Sequence, residues 1–312
     1  MIGKEEKFFY KEKSDEFISY EVSGDGEIPL ILIHGFGSSR RNWDDLVARL
    51  NSISPAPYTI YAIDCKGTGA SSKPLKSDYS MNGHAKIIVE FIRKKKLDKH
   101  VMAGHSMGGG IALMATLILN RFADAPKQGG LILVDGACYP TRIPDFIRVL
   151  SNPWTRWYPL YFMSARKKAE NALASVFHDQ SKITPEIFDR YASLWKIKGF
   201  KRAAAATAES IVPENAKELT AKFHTIECPA LVIWGREDRV LRLELGERLA
   251  RDLPNAELVV LDGCGHSPME ELPDETASLF AGFADKIRER FGKVRLGFAA
   301  NMEGSGGNAS AE

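Results

Sequence analysis

The sequence predicts an α/β protein, a mostly parallel twisted sheet flanked by helices with an inserted helical cap. Three observations predict it. Short β-rich apolar runs alternate with longer helical patterns through the first half of the 312 residues, the same alternation returns late in the chain, and a strand-poor stretch broken by prolines separates the two.

The chain starts MIGKEEKFFYKEKSDEF, which is charged and lacks the apolar run and small-residue cleavage site of a secretory signal. Residues 30–33, 59–63, 101–103 and 131–134 are apolar runs bounded by turn residues, the form taken by strands of a parallel sheet covered on both faces. Between them, residues 44–50, 84–96 and 111–119 carry helical apolar spacing and supply the crossovers, whose right-handed sense puts helices on both faces. Residues 230–234 and 258–261 repeat the strand pattern, with helices expected at 243–253 and 276–291.

From residue 139 to 225 no buried strand is expected, only helical stretches broken by Pro140, Pro144, Pro153, Pro159, Pro185 and Pro213. The expected division is a core of residues 1–138 and 226–300, a helical cap of residues 139–225 over the strand ends, and a flexible tail at 301–312, whose small polar residues cannot offset the entropy of ordering.

Lysine and arginine total 42 against 40 acids, a net charge of +2, so no broad electrostatic footprint points to nucleic acid or to an anionic membrane. The run Arg93 to Lys96 reads as a solvated helix end. The longest strongly apolar run, residues 111–119, is half a membrane span and contains Thr116, so no stable membrane insertion is expected. Cys65, Cys138, Cys228 and Cys264 are scattered and form no CxxC pair, which fits a reducing compartment and an expected cytoplasmic location. No HExxH or cysteine zinc spacing occurs, and neither a P-loop nor a GxGxxG after the first strand, so no metal and no cofactor are expected. Oligomeric state is not legible.

The strongest chemical signal is Gly104-His105-Ser106-Met107-Gly108, between an expected strand and an expected helix, the setting of a G-x-S-x-G nucleophile elbow. A serine at so tight a turn takes an unusual backbone conformation, and small neighbours let the chain pass. The turn also aims the first helix amides, including that of Met107, at the place where negative charge would develop.

Here the sequence resembles the α/β-hydrolase fold family, over about residues 17–290. His34-Gly35-Phe36-Gly37 resembles the family's HG-x-G segment, and the resemblance implies that the backbone N–H of Phe36 joins that of Met107 in an oxyanion hole. Asp64 to Ser71 resembles the D-x-x-G-x-G-x-S turn and reads as structural, with Asp64 holding the loop. A serine hydroxyl needs a base, and the base an orienting carboxylate. Among seven histidines, His266 in Gly263-Cys264-Gly265-His266-Ser267-Pro268 stands where the family places its base, and Trp234-Gly235-Arg236-Glu237-Asp238-Arg239-Val240 matches the acid segment at Asp238. The order Ser106, Asp238, His266 is the order of this fold. Asp135 is the alternative acid, because some family members carry it after the earlier strand.

The resemblance implies a serine hydrolase acting on a small-molecule substrate with an apolar part, cleaving a carboxylic ester through an acyl-enzyme. C–C bond hydrolysis of diketo acids or cofactor-free perhydrolase chemistry on the same triad is the alternative, and a non-catalytic ligand receptor is the alternative of another class. Epoxide hydrolases and haloalkane dehalogenases of this fold carry aspartate where Ser106 stands, which argues against both. In the insertion, Trp154, Trp157, Tyr158, Tyr161, Phe162 and Met163 are expected first as the cap's own small core. Their second expected role is lining a substrate pocket, with Trp154, Trp157 and Tyr158 as candidates, and their third is touching a membrane. Arg156, Arg166, Lys167 and Lys168 read as the wet rim.

Overall fold

One sheet of eight strands organises the computed structural model, which describes residues 3–11, 14–141 and 143–303, with side chains as far as residue 291. Its strands lie in the order β1-β2-β4-β3-β5-β6-β7-β8. β3 (Ile28–Ile33), β4 (Tyr58–Ile63), β5 (His100–His105), β6 (Gln128–Val134), β7 (Ala230–Gly235) and β8 (Ala256–Leu261) run parallel. β1 (Lys4–Phe9) and β2 (Phe17–Ser23) add an antiparallel edge that the apolar runs did not announce. The reason is physical: along β1 only Phe8 is buried, so the strand has almost no apolar pattern to read.

Successive side chains of a strand point to opposite faces, and here both faces are covered. Ile31 and Ile33 join a cluster with α2 (Met81–Lys95), α3 (Met107–Leu119) and α9 (Leu243–Asp252). Leu30 and Leu32 join the opposite cluster with α1 (Asp44–Ser52) and α11 (Pro273–Glu303), where Trp43, Phe280 and Ile287 are buried. Ser80 caps α2 by accepting the Gly83 N–H, and Lys96 ends it at φ 52°, with Arg93, Lys94 and Lys95 in the last turn. α11 runs three residues into the stretch expected as a tail, and residues 304–312 lie outside those described.

Between β6 and β7 the described residues form helices and no strand: α4 (Asp145–Ser151), α5 (Ala165–Val176), α6 (Pro185–Leu194), α7 (Phe200–Glu209) and α8 (Ala216–Thr220). Pro185 opens α6, where its missing N–H costs nothing, and the Thr184 side chain accepts from the Ile187 N–H. α5 and α6 bury Leu173, Phe177, Ile187 and Tyr191 against each other. The expected aromatic core is therefore corrected: Trp154, Trp157, Tyr158, Tyr161 and Phe162 are all exposed. Lys168, expected on the rim, is buried with its Nζ donating to the Leu160 carbonyl at 3.1 Å. Among the described residues no helix is long and apolar enough to cross a membrane.

Candidate active site

β5 ends at His105 and α3 begins at Met107, leaving Ser106 alone to make the turn, at φ 52° and ψ −118°. Its N–H donates to the Val134 carbonyl at 3.0 Å, and its own carbonyl accepts from Gly109 (2.9 Å) and Ala137 (2.8 Å), so the strained conformation is tied on both sides. Two glycines make the crossing possible. A Cβ on Gly104 would stand 2.2 Å from the Gly108 carbonyl oxygen, and one on Gly108 would stand 2.1 Å from that of Ile33.

His266 follows β8 on the glycine-rich loop, and its Nδ1 lies 2.7 Å from Asp238 Oδ2. With Nδ1–H donating there, the free lone pair of a neutral ring is on Nε2. Asp238, just after β7, is held in turn by the Val240 and Leu241 N–H groups, which donate to its Oδ1 at 2.7 and 3.0 Å. Ser106 and His266 line one cavity of about 120 Å³, together with Phe36 and Met107. One water needs roughly 10–15 Å³ on such a measure, so the space admits several carbons. Among the described residues, no acceptor takes the backbone N–H of Phe36 or of Met107. Both residues line the same cavity as Ser106.

The remaining wall is mostly apolar, with Met81, Leu113 and Leu241 from the core and Phe146, Ile147 and Phe223 from the segment between β6 and β7, and it carries hydroxyls from Ser38, Tyr139, Thr141, Tyr191 and Thr220. Among the described residues, no lysine, arginine, aspartate or glutamate lines it. The substrate-lining candidates Trp154, Trp157 and Tyr158 are corrected here, since none is part of the wall. Within residues 152–164 Leu160 is the one that is buried, packing with Ile147, while the rings are exposed.

Asp135 occupies the end of β6 at φ 44°, fully buried, with Oδ1 accepting the Gly235 N–H at 3.0 Å and Oδ2 without a partner. Burial, and then the neighbouring Asp238 carboxylate, push its carboxyl well above the ordinary range. Atoms of Asp135, Asp238 and His266 fall within 4.8 Å of one another, close enough to raise the question of a metal ion. The direct Asp238–His266 hydrogen bond fills the gap such an ion would occupy.

Several positioning residues escaped the motifs. His105 donates from Nε2 to the His266 carbonyl at 2.7 Å, while burial drives its own pKa well below the usual value and keeps the ring neutral. The His266 N–H donates to the Val176 carbonyl at 2.7 Å, at the end of α5. Glu270 and Glu271 lie on the short helix α10 (Pro268–Glu271). Glu271 accepts from the Gly265 N–H at 2.9 Å and the His178 N–H at 2.8 Å. Glu270 accepts from Asn42 Nδ2 (2.7 Å), the Tyr191 hydroxyl (2.8 Å) and the Ser267 hydroxyl (3.1 Å). The legible signal was the pair of acids directly after the histidine loop. As expected, Asp64 holds its loop, accepting from the Arg40 and Ala70 N–H groups at 2.8 and 2.9 Å.

The sequence pattern of the alpha/beta hydrolase family matches residues 30–279, and the chain belongs to that family. Among individual relatives, it is 30% identical to the uncharacterised hydrolase YugF of Bacillus subtilis, over 83% of this chain and 90% of that one. It is 26% identical to a 2-hydroxy-6-oxononadienedioate/2-hydroxy-6-oxononatrienedioate hydrolase of Paraburkholderia phymatum, over 80% and 84%. It is 27% identical to Lipase 3 of a Moraxella species, over 84% and 78%.

Proposed function

We propose that the protein is a serine hydrolase that cleaves a small or medium carboxylic ester with an apolar acyl part through an acyl-enzyme intermediate. One observation carries the reading: the strained Ser106 and the Asp238-bonded His266 line the same apolar cavity. The Ser106 oxygen attacks the ester carbonyl while Nε2 of His266 takes its proton, and Asp238 holds the tautomer and supports the imidazolium. The N–H groups of Phe36 and Met107 take the oxyanion, where losing one such donor typically costs about 3 kcal/mol. His266 then protonates the leaving alkoxide and activates the water that releases the acid. Residues 139–225 act as the cap, and the unpaired thiols of Cys65, Cys138, Cys228 and Cys264 suit a reducing cytoplasm.

The Paraburkholderia relative favours C–C hydrolysis as a second reading. Its named substrates are dicarboxylates, however, and a dicarboxylate entering this cavity meets no cation among the described lining residues. An apolar acyl chain suits such a wall, and the Moraxella lipase is a relative of similar identity.

The test is a panel of nitrophenyl esters of graded acyl length, run beside a diketo acid, on the intact protein and Ser106→Ala. The intact protein should turn over the esters, and the variant should fold yet lose at least roughly three orders of magnitude in kcat/KM. Comparable activity in the variant removes Ser106 from the chemistry, and faster turnover of the diketo acid selects C–C hydrolysis. Absence of fluorophosphonate labelling at Ser106 in the folded protein would favour a ligand receptor.

A further inference from the structure

The face left unexplained by the active site is the exposed aromatic turn of the segment between β6 and β7. Trp154 is 86% exposed, and Trp157, Tyr158, Tyr161 and Phe162 are each more than half exposed. Monomeric surfaces seldom present so many large rings together. Three of these rings pack on one another. Trp157 meets Phe162 edge-on at 5.4 Å between centroids, and Tyr158 stacks on Phe162 at 6.3 Å.

Tyr158–Phe162 form a single π-helical turn anchored through Leu160, whose side chain is buried with Ile147 and Leu150 and whose carbonyl takes Lys168 Nζ. Ile147 is itself part of the cavity wall. The exposed rings thus form the outer side of the layer whose inner side faces the substrate space, and Phe146 and Val149 of α4 extend the apolar exposure.

Charge accompanies the rings. Residues 145–170 carry Arg148, Arg156, Arg166 and Lys167 against the two acids Asp145 and Glu170, a surplus of two cations, while a fifth, Lys168, is buried on the Leu160 carbonyl. Arg166 and Lys167 share the single carboxylate of Glu170, at 3.2 and 3.3 Å. Arg156 pairs with Glu209 and Arg148 with Asp145. Lys201 adds a further cation 5.5 Å from the centre of the Tyr161 ring. Tryptophan and tyrosine bury a ring while keeping a polar edge wet, and a lysine or arginine stem lies along apolar surface with its charge in water. Rings with polar edges among surplus cations match a headgroup layer better than a second copy of the same cationic face, which would repel it.

We propose that the face formed by Trp154, Trp157, Tyr158, Tyr161 and Phe162 docks the protein peripherally on an anionic phospholipid surface, bringing the wall of the cavity against the layer that holds apolar substrates. The docking does not depend on the chemistry at Ser106 and is read by partition rather than turnover.

The experiment is co-sedimentation of the full-length protein with vesicles of phosphatidylcholine alone and of phosphatidylcholine with phosphatidylglycerol at roughly 3:1. It is repeated with Trp157→Ser/Phe162→Ser and with Arg166→Glu/Lys167→Glu. All four positions are exposed, so both variants should keep the thermal midpoint of the parent, which checks folding separately. The intact protein should sediment with the mixed vesicles and much less with phosphatidylcholine alone. The aromatic variant should bind the mixed vesicles about tenfold more weakly or worse. The charge variant should lose the preference for phosphatidylglycerol. Intact protein that stays in the supernatant with mixed vesicles overturns the proposal, as does an aromatic variant that binds as well as the parent. A dimer in vesicle-free solution that the aromatic substitutions dissolve, with no vesicle binding, would give the face to a second copy and equally overturn it.

Discussion

Asp238 and Asp135 both lie close to the ring of His266, and their hydrogen bonds separate their duties. Asp238 spends one oxygen on two backbone N–H groups and the other on Nδ1 of His266, whereas Asp135 bonds the Gly235 N–H and has its second oxygen unpartnered. An amide at 238 would disturb the imidazole tautomer, so Asp238→Asn should lower kcat by roughly 10⁴ on a nitrophenyl ester. Asp135→Asn should stay within about tenfold of the parent, since an amide oxygen still accepts from Gly235 and burial already holds this carboxyl well above its ordinary range. The reverse order would move the acid to Asp135. The contact between Asp238 and His266 was legible because each motif has a fixed distance from a strand end. His105 was not, because a G-x-S-x-G pattern leaves that position open and its partner, the His266 carbonyl, lies 161 residues away.

The short helix α10 joins the histidine loop to α6 through Glu270, which receives the Tyr191 hydroxyl. Burial pushes Glu270 up to about 7 from 4.5, against the lowering pull of the Tyr191 and Ser267 hydroxyls and of Arg190. The sign follows from proton linkage. Below about 4.5 folded and unfolded chains both hold the proton and the contribution is complete, while between there and about 7 only the folded chain holds it, so stability falls as pH rises. The urea midpoint of the intact protein should therefore drop between about pH 5 and about pH 8 more than that of Glu270→Gln, and equal drops would remove Glu270 as the source. Strand elements were legible wherever the sheet is buried on both faces, as in β3 and β5, because burial leaves unbroken apolar runs. β1 escaped because an edge strand with the burial of KEEKFF spends most of its side chains on water.

At the scale of the molecule, the cavity is lined from two sides, by the core around Ser106 and by the segment between β6 and β7, which contributes Ile147 and Phe223. Enlarging Ile147 fills space that acyl carbons would use, so Ile147→Trp should lower kcat/KM for the longest nitrophenyl ester by about tenfold while sparing the acetate. A uniform loss across the series would instead mean a distorted site. The location of this segment was legible from its prolines and missing strands, but its inward and outward faces were not. Aromatic residues spaced as at Trp157, Tyr158 and Phe162 fit a core as well as a surface, and Leu160 alone among their neighbours found a buried place.

The carbonyl of Val176 accepts the amide of the proposed base, so the helical segment is no interchangeable accessory. A chimera that grafted a foreign segment onto this sheet would have to offer an acceptor at the same point in space, and one chosen for pocket shape alone would leave the imidazole's main chain without its anchor.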